Sequence, residues 1–284
     1  MKLKRAIITA AGLGTRLLSV TKELPKEMLP IFYRENGSVG VKPLLQLVFE
    51  QLYEVGIRDF CFIIGRGKRA IEDHFTPDGD FIEELERRGK SATVDSFSRF
   101  YEKLQGSNIV WINQPEPRGF GDAVLRAKNF AGDDRGFLVA AGDTYIISRE
   151  NSHLKDLIDL HESQGGSATL LLKKVSSPSQ YGVAEVRGNR VLNLVEKPAK
   201  PASDLAVMPF YIFDRVIFDH LERTKPGVGG EVQLTDAIQS MIGSGLAVNA
   251  VFLGNGDQER WLDIGTPSSY WEALKQSYGW VGPW

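Results

Sequence analysis

The segment Ala6-Ile7-Ile8-Thr9-Ala10-Ala11-Gly12-Leu13-Gly14-Thr15-Arg16 joins a short apolar run to a glycine-rich turn that ends in a cation. A run this short, apolar throughout and closed by glycine, has the pattern of a strand buried on both faces of a parallel sheet. The pattern recurs at Phe60-Cys61-Phe62-Ile63-Ile64, Ile109-Val110-Trp111-Ile112 and Phe137-Leu138-Val139-Ala140-Ala141. Helical stretches lie between these runs. Residues 43–55 place Leu44, Leu45, Leu47, Val48, Leu52 and Val55 at helical spacing, with Pro43 at the expected first position and Gly56 at the close. A polar helical stretch follows the second run, and residues 120–130 turn Val124, Leu125 and Ala127 inward. Strands alternating with helices at this pace predict an α/β fold, its mostly parallel, twisted sheet flanked by helices and joined by right-handed crossovers.

The second half changes character. Residues 167–174, 181–187 and 190–196 are short, close together and in part alternating, which predicts strands, with Gly188-Asn189 as a hairpin turn. Residues 205–213 form a further apolar strand, and helices are expected over 231–243 and 267–278. No Pro/Ser/Gly-rich linker separates the halves, so the expectation is one domain, 1–284, with an inserted smaller β region and a C-terminal helix and tail over 266–284.

Composition removes other classes. The chain has 284 residues, 42% apolar and 25% charged, which fits a globular domain rather than a disordered or coiled-coil chain. Lys and Arg number 34 against 36 Asp and Glu, a net charge of −2 that argues against a basic nucleic-acid surface. Cys61 is the single cysteine, so no intrachain disulfide or thiolate zinc site forms, and a reducing, cytoplasmic setting is expected. No 18-residue apolar stretch exists to span a membrane, and the basic start Met1–Arg5 leads into a strand and loop rather than a signal peptide. His74, His153, His161 and His220 lack partner spacing and read as surface residues. Trp280 and Trp284 in the tail are expected to bury against a second copy, giving a homo-oligomer.

Glycines at 12 and 14 allow close approach of a ligand to backbone N–H groups, which hold phosphate oxygens well. Alone they are better read as a tight strand-to-helix turn with no ligand, and Leu17 stands where a dinucleotide fingerprint needs a small residue. The continuation Thr21-Lys22-Glu23-Leu24-Pro25-Lys26-Glu27-Met28-Leu29-Pro30 adds two lysines stiffened by two prolines. Three cations beside a glycine loop suit a triphosphate, whose charge must be neutralised before an anion attacks it; a solvated charged loop is the alternative.

Together, Gly12-Leu13-Gly14-Thr15-Arg16 and Lys22-Glu23-Leu24-Pro25-Lys26-Glu27-Met28-Leu29-Pro30 resemble the signature of nucleotidyltransferases that act on sugar 1-phosphates. The Lys-Glu-Met-Leu-Pro ending is most similar to the bacterial-type UTP–glucose-1-phosphate uridylyltransferases; the thymidylyltransferases share the start. The resemblance runs to about residue 275. It implies a Rossmann-like nucleotide-diphospho-sugar transferase fold, with 1–145 mainly nucleotide-binding and 165–265 mainly sugar-phosphate-binding.

Residue by residue, the resemblance puts Ala11, Gly12, Gly14, Thr15, Arg16 and Lys26 around the triphosphate. Gln114, in Gln114-Pro115-Glu116-Pro117-Arg118-Gly119, would read the pyrimidine edge with an amide that both donates and accepts, while Gly119 lets the base lie on backbone. Asp143 and Asp263 would hold Mg²⁺; Asp143 also fits a turn or helix cap, and near Asp263 it is Thr266, before Pro267, that reads as a cap. Gly182, Glu196 and Lys197 would meet the sugar and its phosphate. The segment Gly230-Glu231-Val232-Gln233-Leu234-Thr235-Asp236 resembles another family motif. This sequence also departs from the pattern: Ser19 replaces a proline, Val41 an aspartate, Gly230 an acidic residue, Tyr33–Gly40 is an insertion, and Met208-Pro209-Phe210-Tyr211 replaces a glycine-containing strand near the sugar. The implied activity transfers a nucleotidyl group from UTP to glucose 1-phosphate, giving UDP-glucose and pyrophosphate. Use of dTTP or another hexose 1-phosphate is the alternative. A non-catalytic nucleotide-sugar sensor on the same fold would have little reason to keep Lys26, Asp143, Lys197 and Asp263 together.

Overall fold

In the computed structural model, which describes residues 3–35, 37–132, 136–254 and 259–282, the strands follow in chain order. They are β1 (Arg5–Ala10), β2 (Pro30–Glu35), β3 (Ser38–Pro43), β4 (Asp59–Ile64), β5 (Asn108–Asn113), β6 (Phe137–Ala141) and β7 (Thr144–Ile147), then β8 (Ala168–Lys174), β9 (Gly182–Arg187), β10 (Arg190–Glu196), β11 (Leu205–Phe213), β12 (Val248–Phe252) and β13 (Arg260–Asp263). The helices are α1 (Leu44–Glu54), α2 (Arg69–His74), α3 (Gly79–Arg87), α4 (Ser91–Gln105), α5 (Phe120–Arg126), α6 (Lys128–Ala131), α7 (Ser152–Gln164), α8 (Ile217–Arg223), α9 (Leu234–Gly243) and α10 (Pro267–Val281).

Nine strands make one sheet in the order β5-β4-β1-β6-β11-β8-β12-β10-β9. β1 sits between β4 and β6 and is parallel to both. Apolar side chains alternate across it: Ala6, Ile8 and Ala10 join one core with α1, α2, α4 and α7, while Ile7 and Ala11 join another with α5, α8 and α9. A strand covered on both faces has no polar face, which is why β1 and β4 are mostly apolar beyond their first residues and β6 is apolar throughout.

The half from β5 to β6 is the parallel sheet expected from the alternation. Beyond β6 the direction reverses: β11 is antiparallel to β6 and to β8. The strands expected as an inserted β region continue the same sheet. The β9–β10 hairpin turns at Gly188, φ 59°, and curls back until β9 meets β11 at Val183↔Ala206.

Three features differ from the sequence expectation. Pro43 ends β3 and caps α1, which starts at Leu44. The Tyr33–Gly40 insertion belongs to the β2–β3 ribbon; Glu35 on it accepts from Ser96 and pairs with Arg99 of α4, and β2 packs on α10. The histidines are not surface residues. His153, His161 and His220 are buried, each ring bonded to one hydroxyl: Ser148, Thr169 and Ser240 at 2.7, 2.9 and 2.8 Å. His74 stacks on Phe100 and bonds to Gln46 at 3.0 Å. His161 Nε2 also lies 3.7 Å from Asp214 Oδ1. Partners of these kinds leave no spacing signature in sequence. Trp280 is partly exposed, and Trp284 lies outside the described residues.

Burial lowers the pKa of His74 to about 4, against a small opposing effect of Glu50, and of His153 to about 3. Both rings stay neutral in the folded chain while the unfolded chain protonates near 6.5. Their contribution to stability is therefore complete above pH 6.5 and declines as pH falls towards 4 and 3. The slope expected is about 1.4 kcal/mol per pH unit for each ring. Urea midpoints at pH 7 and pH 4.5 should differ more for the wild type than for His153→Leu; equal differences would contradict the buried neutral ring.

Candidate active site

Three parallel strands end at one edge, and each delivers a loop to the same cleft of about 590 Å³. β1 leads into Ala11–Arg16, β5 into Gln114, and β6 into Gly142-Asp143. Carboxyl ends of strands are where open α/β sheets bind ligands. Asp263 comes from elsewhere. It is the last residue of β13, which pairs antiparallel with β7 so that Asp263 faces Thr144. The Ile264 N–H donates to the Asp143 carbonyl at 3.3 Å. A four-residue ribbon thus sets the second carboxylate beside the first.

Lys26 reaches into this pair. It sits on a single helical turn, Lys26–Met28, entered from Pro25, and its Nζ donates to Asp143 Oδ2. Burial opposes the charge on Lys26, but Asp143, Glu27 and Asp263 outweigh it and hold the ammonium pKa above its ordinary value. Burial opposes ionisation of Asp143 too, yet the charge and hydrogen bond of Lys26 keep this carboxyl below the usual range. Asp263 moves the other way: burial and the charge of Asp143 raise it. The cluster carries more negative charge than Lys26 alone balances, in hard oxygen donors.

The Lys26 turn is pinned from behind. Glu27, 1% exposed, accepts from Lys68 Nζ at 2.8 Å, linking the turn to the loop after β4. Arg16 is exposed on the opposite lip, where a Cβ built on Gly265 would lie 3.4 Å from its Nη2 and 3.1 Å from Asp263 Oδ2. Arg16 and Asp263 thus flank the same short backbone stretch.

At one end of the cleft, Gln114 is 4% exposed and its Nε2 donates to the Gly119 carbonyl at 3.2 Å and to Asp122 Oδ2 at 2.8 Å. That fixes which way the amide faces and leaves Oε1 with no donor among the described residues. Burial alone would raise Asp122, but hydrogen bonds from Gln114 and Arg118 and the charge of Arg126 hold it ionised at lower pH than usual. Gly119 has φ 112°, and a Cβ there would lie 2.7 Å from the Val232 carbonyl. The loop needs that closeness: Val232 N donates to Arg118 O at 2.7 Å, and Gly121 N to Val232 O at 2.9 Å. The segment expected to open the helix at 231 is therefore extended, and α9 begins at Leu234.

At the other end, Glu196 closes β10 beside Gly182, its partner on β9. Thr235 donates to Glu196 Oε2 at 2.9 Å. A Cβ on Gly182 would lie 2.7 Å from the Thr235 methyl and 3.2 Å from that oxygen, so only glycine fits. Tyr211, 4% exposed, faces the cleft with its hydroxyl unpartnered among the described residues; burial and the charge of Glu196 raise its pKa. Of the residues that the resemblance placed at the site, all but Lys197 line the cleft; Lys22, one of the three cations beside the glycine loop, does not and pairs on the surface with Glu23. Lys197 is half-exposed, holds φ 43°, and places its Nζ 3.3 Å from Glu196 Oε1. Asp122, Thr235, Tyr211 and Lys68 received no role from sequence. Asp122 follows the quoted Gln114–Gly119 motif by three residues, and Thr235 and Tyr211 stood inside quoted segments.

The fold and the cleft have known counterparts. Residues 5–278 match the family model described as nucleotidyl transferase. The UTP–glucose-1-phosphate uridylyltransferase of Bacillus subtilis is 40% identical over 248 residues, covering 84% of this chain and 80% of that protein. The enzyme of the same name from Staphylococcus epidermidis is 39% identical over 248 residues, covering 84% and 82%. Among solved structures, a UDP-glucose pyrophosphorylase complexed with UDP-glucose superposes with TM-score 0.79 at 28% identity, covering 98% of this chain and 99% of that one. The UTP-bound enzyme from Acinetobacter baumannii gives 0.83 at 28%, covering 99% and 95%. With a family match over almost its whole length, the chain belongs to the nucleotidyl transferase family.

Proposed function

We propose that the chain transfers the uridylyl group of UTP to glucose 1-phosphate, releasing pyrophosphate and forming UDP-glucose. The observation that carries the reading is the convergence of the glycine loop, Lys26, Asp143 and Asp263 in one cleft, with Gln114 towards one end and Glu196 towards the other. The two relatives bearing that enzyme name, and the UTP and UDP-glucose complexes among the similar structures, support it.

The sugar phosphate oxygen forms a bond to the α-phosphorus as the bond from that phosphorus to the bridging oxygen breaks, and pyrophosphate leaves with the electron pair. The nucleophile is already an anion, so no general base is needed. Catalysis reduces to alignment and charge neutralisation. The Ala11–Thr15 backbone, Arg16 and Lys26 hold the triphosphate. Lys197 meets the incoming phosphate, for which its half-exposed ammonium must leave Glu196. Glu196 and Gly182 receive the sugar, and Gln114 Oε1 accepts the uracil imide N–H. Asp143 and Asp263 would hold Mg²⁺, a fit for a cation that commonly takes one or two carboxylates and fills its shell with phosphate and water. Bound there, it would neutralise phosphate charge. No described helix is long and apolar enough to cross a membrane, consistent with small soluble substrates.

Purified protein with Mg²⁺, UTP and glucose 1-phosphate should release pyrophosphate, and EDTA should stop it. Absence of turnover with UTP or dTTP and any common hexose 1-phosphate would favour a nucleotide-sugar sensor. Within that assay, Gln114→Ala should raise the KM for UTP by the worth of about one hydrogen bond, ~0.5–1.5 kcal/mol, and leave the KM for sugar phosphate alone. Unchanged UTP kinetics would show that the amide serves only to hold Asp122.

A further inference from the structure

β11 is an interior strand, flanked by β6 and β8. Its fifth residue is Pro209. Proline donates no ladder hydrogen bond, so within sheets it is confined to edges and bulges. The register records how β11 accommodates it. Met208 faces Leu171 and Tyr211 faces the adjacent Leu170, leaving Pro209 and Phe210 as a bulge against β8. Phe210 is fully buried, whereas Pro209 is partly exposed and lines the cleft with Val207 and Tyr211. Bulges beside a site re-aim side chains, and this one turns a rigid apolar ring into the cleft.

Its neighbours place the ring at the Glu196 end. Ala206, three residues before it, pairs with Val183, the residue after Gly182. Tyr211, two residues after it, lies close enough to Glu196 to feel its charge. The polar groups there, the Glu196 carboxylate and the Thr235 hydroxyl, are bonded to each other and come from β10 and α9. β11 adds Val207 and Pro209, neither of which offers a side-chain donor or acceptor, and two residues beyond Pro209 the Tyr211 hydroxyl.

We propose that Pro209 is a specificity-determining residue for the sugar 1-phosphate, its ring forming an apolar wall that confines this end of the cleft to a compact hexose. The proposal rests on the functional reading above. A ring locked at φ and braced by a bulge cannot swing aside as a longer side chain does. It rejects by volume a sugar enlarged or inverted at the carbon it meets, and it reads no hydroxyl there.

The test compares kcat/KM of wild type, Pro209→Gly and Pro209→Ala, with UTP, for four sugars. These are glucose 1-phosphate and the 1-phosphates of N-acetylglucosamine, galactose and glucuronic acid, which alter three different ring positions. Opening the wall should raise the rate with at least one altered sugar, relative to glucose 1-phosphate, by roughly 10–200-fold in Pro209→Gly. The rise should be smaller in Pro209→Ala, and the KM for UTP should not change. If Pro209→Gly does not fold, as read by thermal melting, Pro209→Ala carries the same expectation. Unchanged ratios for all three sugars, or a shift confined to UTP, would overturn the proposal while an active wild type leaves the functional reading intact. A wild type that turns over none of the four would overturn both.

Discussion

The ion pair between Lys26 and Asp143 sits where two arms of the chain meet in the cleft. Asp143 is fixed by β6, next to β1 in the parallel half of the sheet, and Lys26 by the stiff turn after Pro25. Neither charge tolerates this much burial alone. Each is kept ionised by the other: the lysine is raised and the aspartate lowered, although desolvation pulls against both. Asp263 then finds a site already negative and is raised. A pocket with two carboxylates against one ammonium is under electrostatic strain that a further cation relieves. The rest of the architecture supports that cluster: the Glu27–Lys68 pair holds the turn from behind, and the β7–β13 ribbon brings in the second carboxylate.

The cleft differs in kind along its lining. Arg16, Lys26 and the glycine loop make one part of it cationic and backbone-lined. At Gln114 a buried amide has its donor committed to the Gly119 carbonyl and to Asp122, which leaves its acceptor over. Around Glu196 the lining combines that carboxylate with Val207, Pro209 and the Tyr211 hydroxyl of β11. Lys197 lies outside the cleft lining, with its Nζ beside Glu196.

Much of this was legible in the sequence, for identifiable reasons. The central stretches of β1 and β4 and the whole of β6 are almost entirely apolar because helices cover both faces, and that pattern is hard to mistake. The glycine loop, the Lys26 turn and the two aspartates were legible because phosphate chemistry demands particular residue types close to strand ends. What escaped notice depends on contacts far apart in sequence. The reversal of direction at β11 is set by which neighbour it meets, β6 and β8, and its own residues carry no mark of this. Asp122 is an acid in the first turn of α5, unmarked by its sequence position, and its bond to Gln114 is what ties it to the cleft. The histidines read as superficial because their helices are polar, while each ring finds a hydroxyl or amide partner in the structure, and His161 also lies beside Asp214.

The central claim is that Asp143 and Asp263 act as one site although 120 residues separate them in sequence. Its most direct test is kcat of wild type, Asp143→Asn, Asp263→Asn and the double variant across a Mg²⁺ titration, with folding checked by thermal melting. Each substitution keeps size and an acceptor oxygen and removes one charge. The account predicts that each single variant folds and loses turnover by on the order of 10²–10³-fold or more, and that the double variant is little worse than the weaker single one, as expected of groups that work as a unit. An Asp263→Asn protein as active as the wild type at every Mg²⁺ concentration would contradict it.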